Sequence, residues 1–456
     1  MSTIALQTKI SSLAVVAPAA LATMGIALYA FVFFPGALGF DGAYEWWQAR
    51  GGETTNLHGV AMTWLWRVSD RVATGPAPLF ILQLALFWVG IWLMALTFYE
   101  RWFSRLLLML GVGLAPVCFV LFSFVANDVM FMATLSLALG ISLHARGRLS
   151  GTSVMLVVAL LFLAYLLRKN AFPAVFPLLA YIFVFARRGF YSPGLLRNQV
   201  LLSVGVALAM QAGSLLIDRT VDRRVTIFAG TALWDLSAIS LGANEILLPP
   251  GTYGPGLTVD DLRNAFVPYA NTTIFERTHA GMRQPFLDPA DPLNGEILRA
   301  WSAAALHHPD IYLAHRLQLS LALFGSKRPE WPRELVYFAG ASQYLDNPPF
   351  QPNTSAAHDL LMRAFEAMRG TVALAAWPYL GVALVALARA WRCRREWHGQ
   401  AALATLASGL MYALPLPIIA PSAELRYLGW TCVASILGAV LAFTPVRSPV
   451  TPAFCT

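Results

Sequence analysis

The chain has 456 residues, 57% of them hydrophobic and only 12% charged, with a mean hydropathy of +0.60. A soluble chain averages about 25% charged residues, so a soluble enzyme is excluded: there is too little charge here to cover a water-facing surface of this size. The formal net charge of +8 comes almost wholly from arginine, because Lys9, Lys169 and Lys327 are the only lysines. Its distribution reads as membrane topology, and no nucleic-acid partner is expected.

Apolar blocks long enough for a hydrocarbon core of roughly 30 Å lie at about 12–34, 78–98, 106–125, 129–144, 152–167, 171–186, 198–216, 371–391, 400–420 and 427–444. They predict an all-α polytopic membrane protein with about ten transmembrane helices. The first block is longer than the 7–15 residues of a signal-peptide core and lacks a small-residue cleavage site, so it reads as an anchor. Cys118, Cys393, Cys432 and Cys455 form neither a disulfide framework nor a CxxC metal pair.

Alternate connections carry Arg101 and Arg105, then Arg146 and Arg148, then Arg187, Arg188 and Arg197, then Arg389, Arg392, Arg394 and Arg395, with Arg447 in the tail. The opposite connections hold little more than Arg50, Arg67, Arg71, Arg168, Lys169 and Arg426. The positive-inside rule then predicts both termini in the cytoplasm of a bacterial cell, with the chain multiply crossing the inner (plasma) membrane. Three parts follow: residues 1–216, a membrane module of seven spans with an outer loop at 35–77; residues 217–370, an extracytoplasmic domain; residues 371–456, three spans and a cytoplasmic tail.

In the outer loop, Gly39-Phe-Asp-Gly-Ala-Tyr-Glu-Trp-Trp places Asp41 just beyond the first span. Trp46 and Trp47 suit a headgroup layer, while Leu57, Val60, Ala61, Trp64, Leu65 and Val68 recur at helical spacing, so two interfacial helices are expected. Asp128, in Val-Ala-Asn-Asp-Val-Met, interrupts nearly continuous hydrocarbon; it is either part of an Asn-Asp turn or a functional carboxylate. Cations stand on this side against the topological rule, at Leu167-Arg-Lys-Asn-Ala171 and at Ala423-Glu-Leu-Arg-Tyr427. Either they snorkel to headgroups or they meet a phosphate, for which arginine offers a planar fork and lysine a point charge.

The 217–370 insert holds 16 of the 24 acidic residues, a turn-rich stretch at 248–256 and helical patterning around Leu298–Phe324. His307 and His308 read as polar residues ahead of a helix started by Pro309 and Asp310. The insert shows neither an internal repeat nor a Gly-rich phosphate loop, and a mainly helical, loop-rich cap is expected.

In layout and short motifs the chain resembles the integral-membrane glycosyltransferases of the GT-C superfamily, which use polyprenyl-phosphate-linked sugars. The resemblance rests on Asp41 past the first span, Asn56 and His58 in the outer loop, Asp128 opening the fourth span, Arg168 and Lys169 after the fifth, and Glu424 to Tyr427 late in the chain. It implies a GT-C-like fold and transfer of a sugar from a polyprenyl-phosphate donor to an extracytoplasmic glycan, glycolipid or protein. Asp41 would be the base of an inverting reaction, with Asp128 as the second catalytic carboxylate. Glu45, Asn56, His58, Asn127, Arg168, Lys169, Glu424, Arg426 and Tyr427 would bind substrate. The first loop carries one aspartate rather than an Asp-x-Asp pair, and the second acidic site is Asn-Asp rather than Glu-x-Asp. The expectation is therefore no obligatory metal, or a weakly held Mg or Mn ion on Asp41 and Asp128. A transporter or flippase of a lipid-linked substrate, or an O-antigen-type polymerase, is the alternative.

Overall fold

A computed structural model describes residues 2–98, 102–146, 149–185, 193–278, 281–326, 330 and 332–444. Arg101, Arg148, Arg187, Arg188, Arg447 and Cys455, which enter the topological reading, lie outside them, as does the end of the predicted tail. The chain opens with α1 (Ser2–Phe33), followed by the outer-loop helices α2 (Phe40–Ala49) and α3 (Val60–Ser69). Next come α4 (Ala77–Phe98), α5 (Trp102–Gly113), α6 (Pro116–Leu121), α7 (Asn127–His144), α8 (Gly151–Leu167), α9 (Phe172–Ala180) and α10 (Pro193–Ile217). The insert supplies α11 (Phe228–Ala243), α12 (Val259–Ala265), α13 (Thr272–Arg277), α14 (Leu293–His307), α15 (Pro309–Phe324) and α16 (Ala356–Met368). The chain returns through α17 (Trp377–Arg392), α18 (Trp397–Ala413), the short α19 (Leu416–Ile419) and α20 (Gly429–Phe443).

Among the described residues, five helical stretches are long and apolar enough to cross a membrane: Val16–Phe33, Ala77–Thr97, Arg197–Ile217, Trp397–Ile419 and Leu425–Phe443. The remaining apolar blocks also form helix, but in shorter pieces. Residues 106–125 are broken between α5 and α6, where Pro116 lacks the N–H that would continue the first helix. The blocks at 152–167 and 171–186 give helices of 10–17 residues. Outward-facing Met24, Phe31, Leu201, Leu208 and Leu216 are exposed, a concentration of apolar surface that water would not tolerate and lipid would.

The helices approach closely where side chains vanish. A methyl group on Gly90 of α4 would lie 2.6 Å from the Ser136 carbonyl oxygen of α7, and one on Gly140 would lie 2.4 Å from the Gly90 carbonyl. Alanine at either position would push these two helices apart.

What brings the predicted site together is a small ladder. Strand β1 (Ala37–Leu38) pairs in parallel with β2 (Phe124–Val125), Ala37 opposite Phe124 and Leu38 opposite Val125. The segment leading into α2 is thereby fastened beside the segment leading into α7. The insert adds a third edge, since Leu38 N–H donates to Gly340 O and Ser342 N–H to Leu38 O. It also holds α2 and the outer loop through Asn347 Nδ2 to Ala43 O (2.7 Å) and Val225 N to Asn56 Oδ1 (2.7 Å).

Two details of the outer loop differ from expectation. Trp46 is 1% exposed and belongs to the core: its ring stacks on Trp66 at 5.6 Å and its indole N–H donates to Asp70 Oδ1. An amphipathic aromatic can end at a headgroup or at a buried acceptor, and here Asp70 supplies the acceptor. In α3 the face turned inward is Val60, Ala61, Met62, Thr63, Trp66 and Ser69, which leaves Trp64 and Val68 of the expected apolar stripe exposed.

Candidate active site

Asp41 stands in the first turn of α2, four residues ahead of Glu45, so the two carboxylates share one helix face. Asp128 stands in the first turn of α7. The ladder just described converges these two helix starts, and the segment after α19 delivers Arg426 between them. Arg426 Nη2 lies 2.5 Å from Asp41 Oδ2, its Nη1 3.7 Å from Asp128 Oδ2 and its Nε 2.5 Å from Glu424 Oε2. Arg168, at the end of α8, reaches Asp128 from the other side, with Nε 3.1 Å from Oδ1 and Nη1 3.3 Å from Oδ2.

The wall opposite the arginines is His58. Its Nε2 is 3.7 Å from Asp41 Oδ1 and its Nδ1 is 3.7 Å from Glu45 Oε1. Asn127 Nδ2 donates to the same Glu45 oxygen at 3.3 Å. Tyr427 OH and Ser422 Oγ both donate to Glu424 Oε1, orienting the carboxylate that holds Arg426. Aromatic faces complete the lining: the Arg168 guanidinium lies 5.3 Å from the Tyr427 ring and that of Arg426 lies 5.8 Å from Phe338. These are cation–π distances.

Glu45 and Asp128 are each 1% exposed, whereas the Asp41 side chain is 30% exposed. Asp41 is thus the carboxylate that opens outward. Burial works to raise its pKa, but the Arg426 guanidinium, with His58 and Arg168 behind it, holds the carboxyl below the usual range. It is ionised at neutral pH. Glu45 moves the opposite way: burial, and then the Asp41 charge beside it, push its pKa well above the usual value. For His58, burial depresses the pKa despite the attraction of Asp41, which favours the neutral imidazole. Buried polar atoms here without a hydrogen-bond partner include Glu45 Oε2 and His58 Nδ1. Such atoms are costly unless a ligand or solvent completes them.

Of the residues named from sequence, Asp41, Glu45, His58, Asn127, Asp128, Arg168, Glu424, Arg426 and Tyr427 form this one cluster. Two do not. Lys169 turns away from it to pair with Asp218, because adjacent residues at a helix end point in different directions. Asn56 is spent on the insert through the Val225 N–H. Sequence reasoning missed Ser422 and Phe338, which carry no signal of their own. It also missed a second buried charge cluster, Asp235 with His315 and Arg316; a lone acid in the apolar run of α11 was its only trace.

No family model, no curated protein and no solved structure matches the chain.

Proposed function

We propose that the protein is a bacterial inner-membrane glycosyltransferase of GT-C type. It moves a sugar from a polyprenyl-phosphate donor to an extracytoplasmic acceptor, a glycan, glycolipid or protein, with inversion and with Asp41 as base. In this reading the ten apolar blocks are spans, both termini are cytoplasmic and the 217–370 domain faces the periplasm above the site. The supporting observation is Arg426 held between Asp41 and Asp128, with Arg168 on the far side of Asp128. Two guanidinium groups at the mouth of a membrane bundle form a fork for a phosphate, and the neighbouring carboxylate is the partly exposed one.

The depressed pKa of Asp41 makes it a weak base while Arg426 is attached. A donor phosphate competes for Arg426. As the guanidinium turns to the phosphate, Asp41 loses the charge that held its proton affinity down and becomes able to accept a proton from the acceptor hydroxyl. The two arginines then stabilise the negative charge that accumulates on polyprenyl phosphate as the glycosidic bond breaks. His58 Nε2, 3.7 Å from Asp41 Oδ1, borders the other oxygen of Asp41.

A divalent ion shared by Asp41 and Asp128 does not fit this arrangement. Arg426 stands between the two carboxylates, and a dication there would face two guanidinium groups. No step is assigned to a metal.

The test is to incubate purified protein with a polyprenyl-phosphate sugar and an envelope extract as acceptor. Acceptor-dependent release of free polyprenyl phosphate supports the reading. Movement of intact donor across a vesicle bilayer without phosphate release would make the protein a transporter, and glycan lengthening from a pyrophosphate-linked donor would make it a polymerase.

A further inference from the structure

At the other end of α17 from the insert, the four-residue turn Cys393-Arg-Arg-Glu396 joins α17 to α18, whose first turn carries His398 and Gly399. Sequence reading set the cysteines aside because none forms a CxxC pair, yet the turn gathers three different donors. The Cys393 sulfur, a Glu396 oxygen and a His398 ring nitrogen all lie within 4.8 Å of one another, and His398 Nδ1 is 3.4 Å from Glu396 Oε2. Tetrahedral zinc, with Zn–N and Zn–O near 2.0–2.1 Å, sets its nitrogen and oxygen ligands about 3.3 Å apart.

A second observation points to a ligand. The His398 side chain is 5% exposed and its Nδ1 has no hydrogen-bond partner, while Glu396 beside it is 59% exposed and its carboxylate is not held by burial. A buried imidazole nitrogen aimed at a thiol and a carboxylate needs a partner. The turn is also closed tightly around the cysteine. Glu396 N–H donates to Cys393 O at 2.8 Å, and a methyl group on Gly399 would lie 2.1 Å from that same oxygen.

We propose that Cys393, Glu396 and His398 form a site for a single zinc ion, completed by water, which fastens α17 to α18. The surrounding arginines do not forbid a cation. A thiolate and a carboxylate bring two negative charges, so the loaded site is neutral, and the thiol gives up its proton as zinc binds. Arg394 is already engaged, donating to Trp391 O and lying 5.0 Å from the Trp391 ring. The sulfur has to close on the other two donors by a side-chain rotation, which leaves the backbone turn as it is. The proposal is independent of the glycosyltransferase reading, since none of its three donors belongs to the Asp41 cluster.

The experiment uses the full-length protein in detergent, stripped with chelator and reloaded with zinc alone or with cobalt(II) alone. One equivalent of zinc should be retained after desalting, and cobalt should give a thiolate-to-metal charge-transfer band. Cys393→Ser and His398→Ala should each weaken retention at least about tenfold. Glu396→Gln serves as the variant that keeps the fold, because the side chain is exposed, and it should weaken zinc while leaving the elution profile unchanged. Failure of the wild-type protein to retain stoichiometric zinc overturns the proposal, as does zinc or cobalt binding that persists undiminished in well-folded Glu396→Gln and Cys393→Ser proteins.

Discussion

The molecule buries an aspartate beside an arginine and a histidine twice, and the two clusters are built differently. In the insert, Asp235 accepts from Arg316 Nη2 at 2.6 Å and from the Trp301 indole at 2.8 Å, with His315 Nε2 at 3.3 Å. Arg316 spends its other terminal nitrogen on the carbonyl of Ala420. One acid meets one arginine, and Asp235, His315 and Arg316 are all buried. In the cluster around Asp41 and Asp128, four carboxylates (Asp41, Glu45, Asp128 and Glu424) meet only two arginines, and Asp41 is partly exposed. A charge-matched, closed cluster is a clamp, here tying α11 and α15 to the segment that carries Arg426. A cluster whose arginines are shared and whose acids outnumber them is poised to exchange a partner, which is what a phosphate ligand requires.

The sharpest way to break this contrast is to remove one charge from each cluster. Asp41→Asn should lower transfer by about 10²–10⁴-fold, the usual contribution of a positioned base, while the protein still folds, with a melting temperature lowered only by the loss of the Arg426 ion pair. Turnover like that of the parent protein in this variant would remove Asp41 from its role.

The matching change in the insert, Arg316→Leu, leaves Asp235 buried without its arginine and should destabilise the fold by about 3–5 kcal/mol, read as a lowered melting temperature in detergent. At the mouth, Arg426→Lys keeps the charge but loses the fork. Its expected cost is about 10²-fold in rate with donor KM raised more than acceptor KM. Equal effects on both substrates would argue that Arg426, like Arg316, is only structural.

A smaller effect separates the two carboxylates of α2. Glu45 has a folded-state pKa raised above its unfolded value. Its contribution to stability is therefore fully present below the unfolded value of about 4.3 and is lost as pH rises through the folded one. Glu45→Gln should flatten the alkaline side of the melting-temperature profile. Asp41 has the opposite sign, since its pKa is lowered: its contribution is present above about 3.9 and disappears only as pH falls through a lower value. A profile that Glu45→Gln leaves unchanged would mean that Glu45 is ionised in the folded protein.

The smallest expected effect is that of Lys169→Ala. Its ion pair with Asp218 is partly exposed, so loss of the side chain should cost less than about 1 kcal/mol of stability and leave donor use intact. A large rise in donor KM would return Lys169 to the phosphate site.

The amino-acid sequence by itself determined that this is a helical membrane protein and marked the charges worth following. Asp41, Asp128, Arg168 and Arg426 were legible one by one because a charge beside hydrocarbon is costly, and a costly residue in the wrong place asks for a reason. Only the tertiary structure decided which of them meet. The two-residue ladder that joins residue 37 to residue 124 carries no periodic signal, and so the approach of Asp41 to Asp128 could not be read from either segment. Direction was equally hidden. Arg168 and Lys169 are neighbours in sequence, yet the end of α8 sends one to Asp128 and the other to Asp218. Trp46 reads from the sequence as a headgroup aromatic because belt and core use the same residue, and what separates them is Asp70, a partner 24 positions away. The zinc turn went unread for a related reason: its donors are a cysteine, a glutamate and a histidine, and only the close contact of Gly399 with Cys393 brings them to one point. Residue type sets how much a side chain costs to bury, whereas the fold sets who shares the cost, and sharing depends on contacts between segments far apart in the chain.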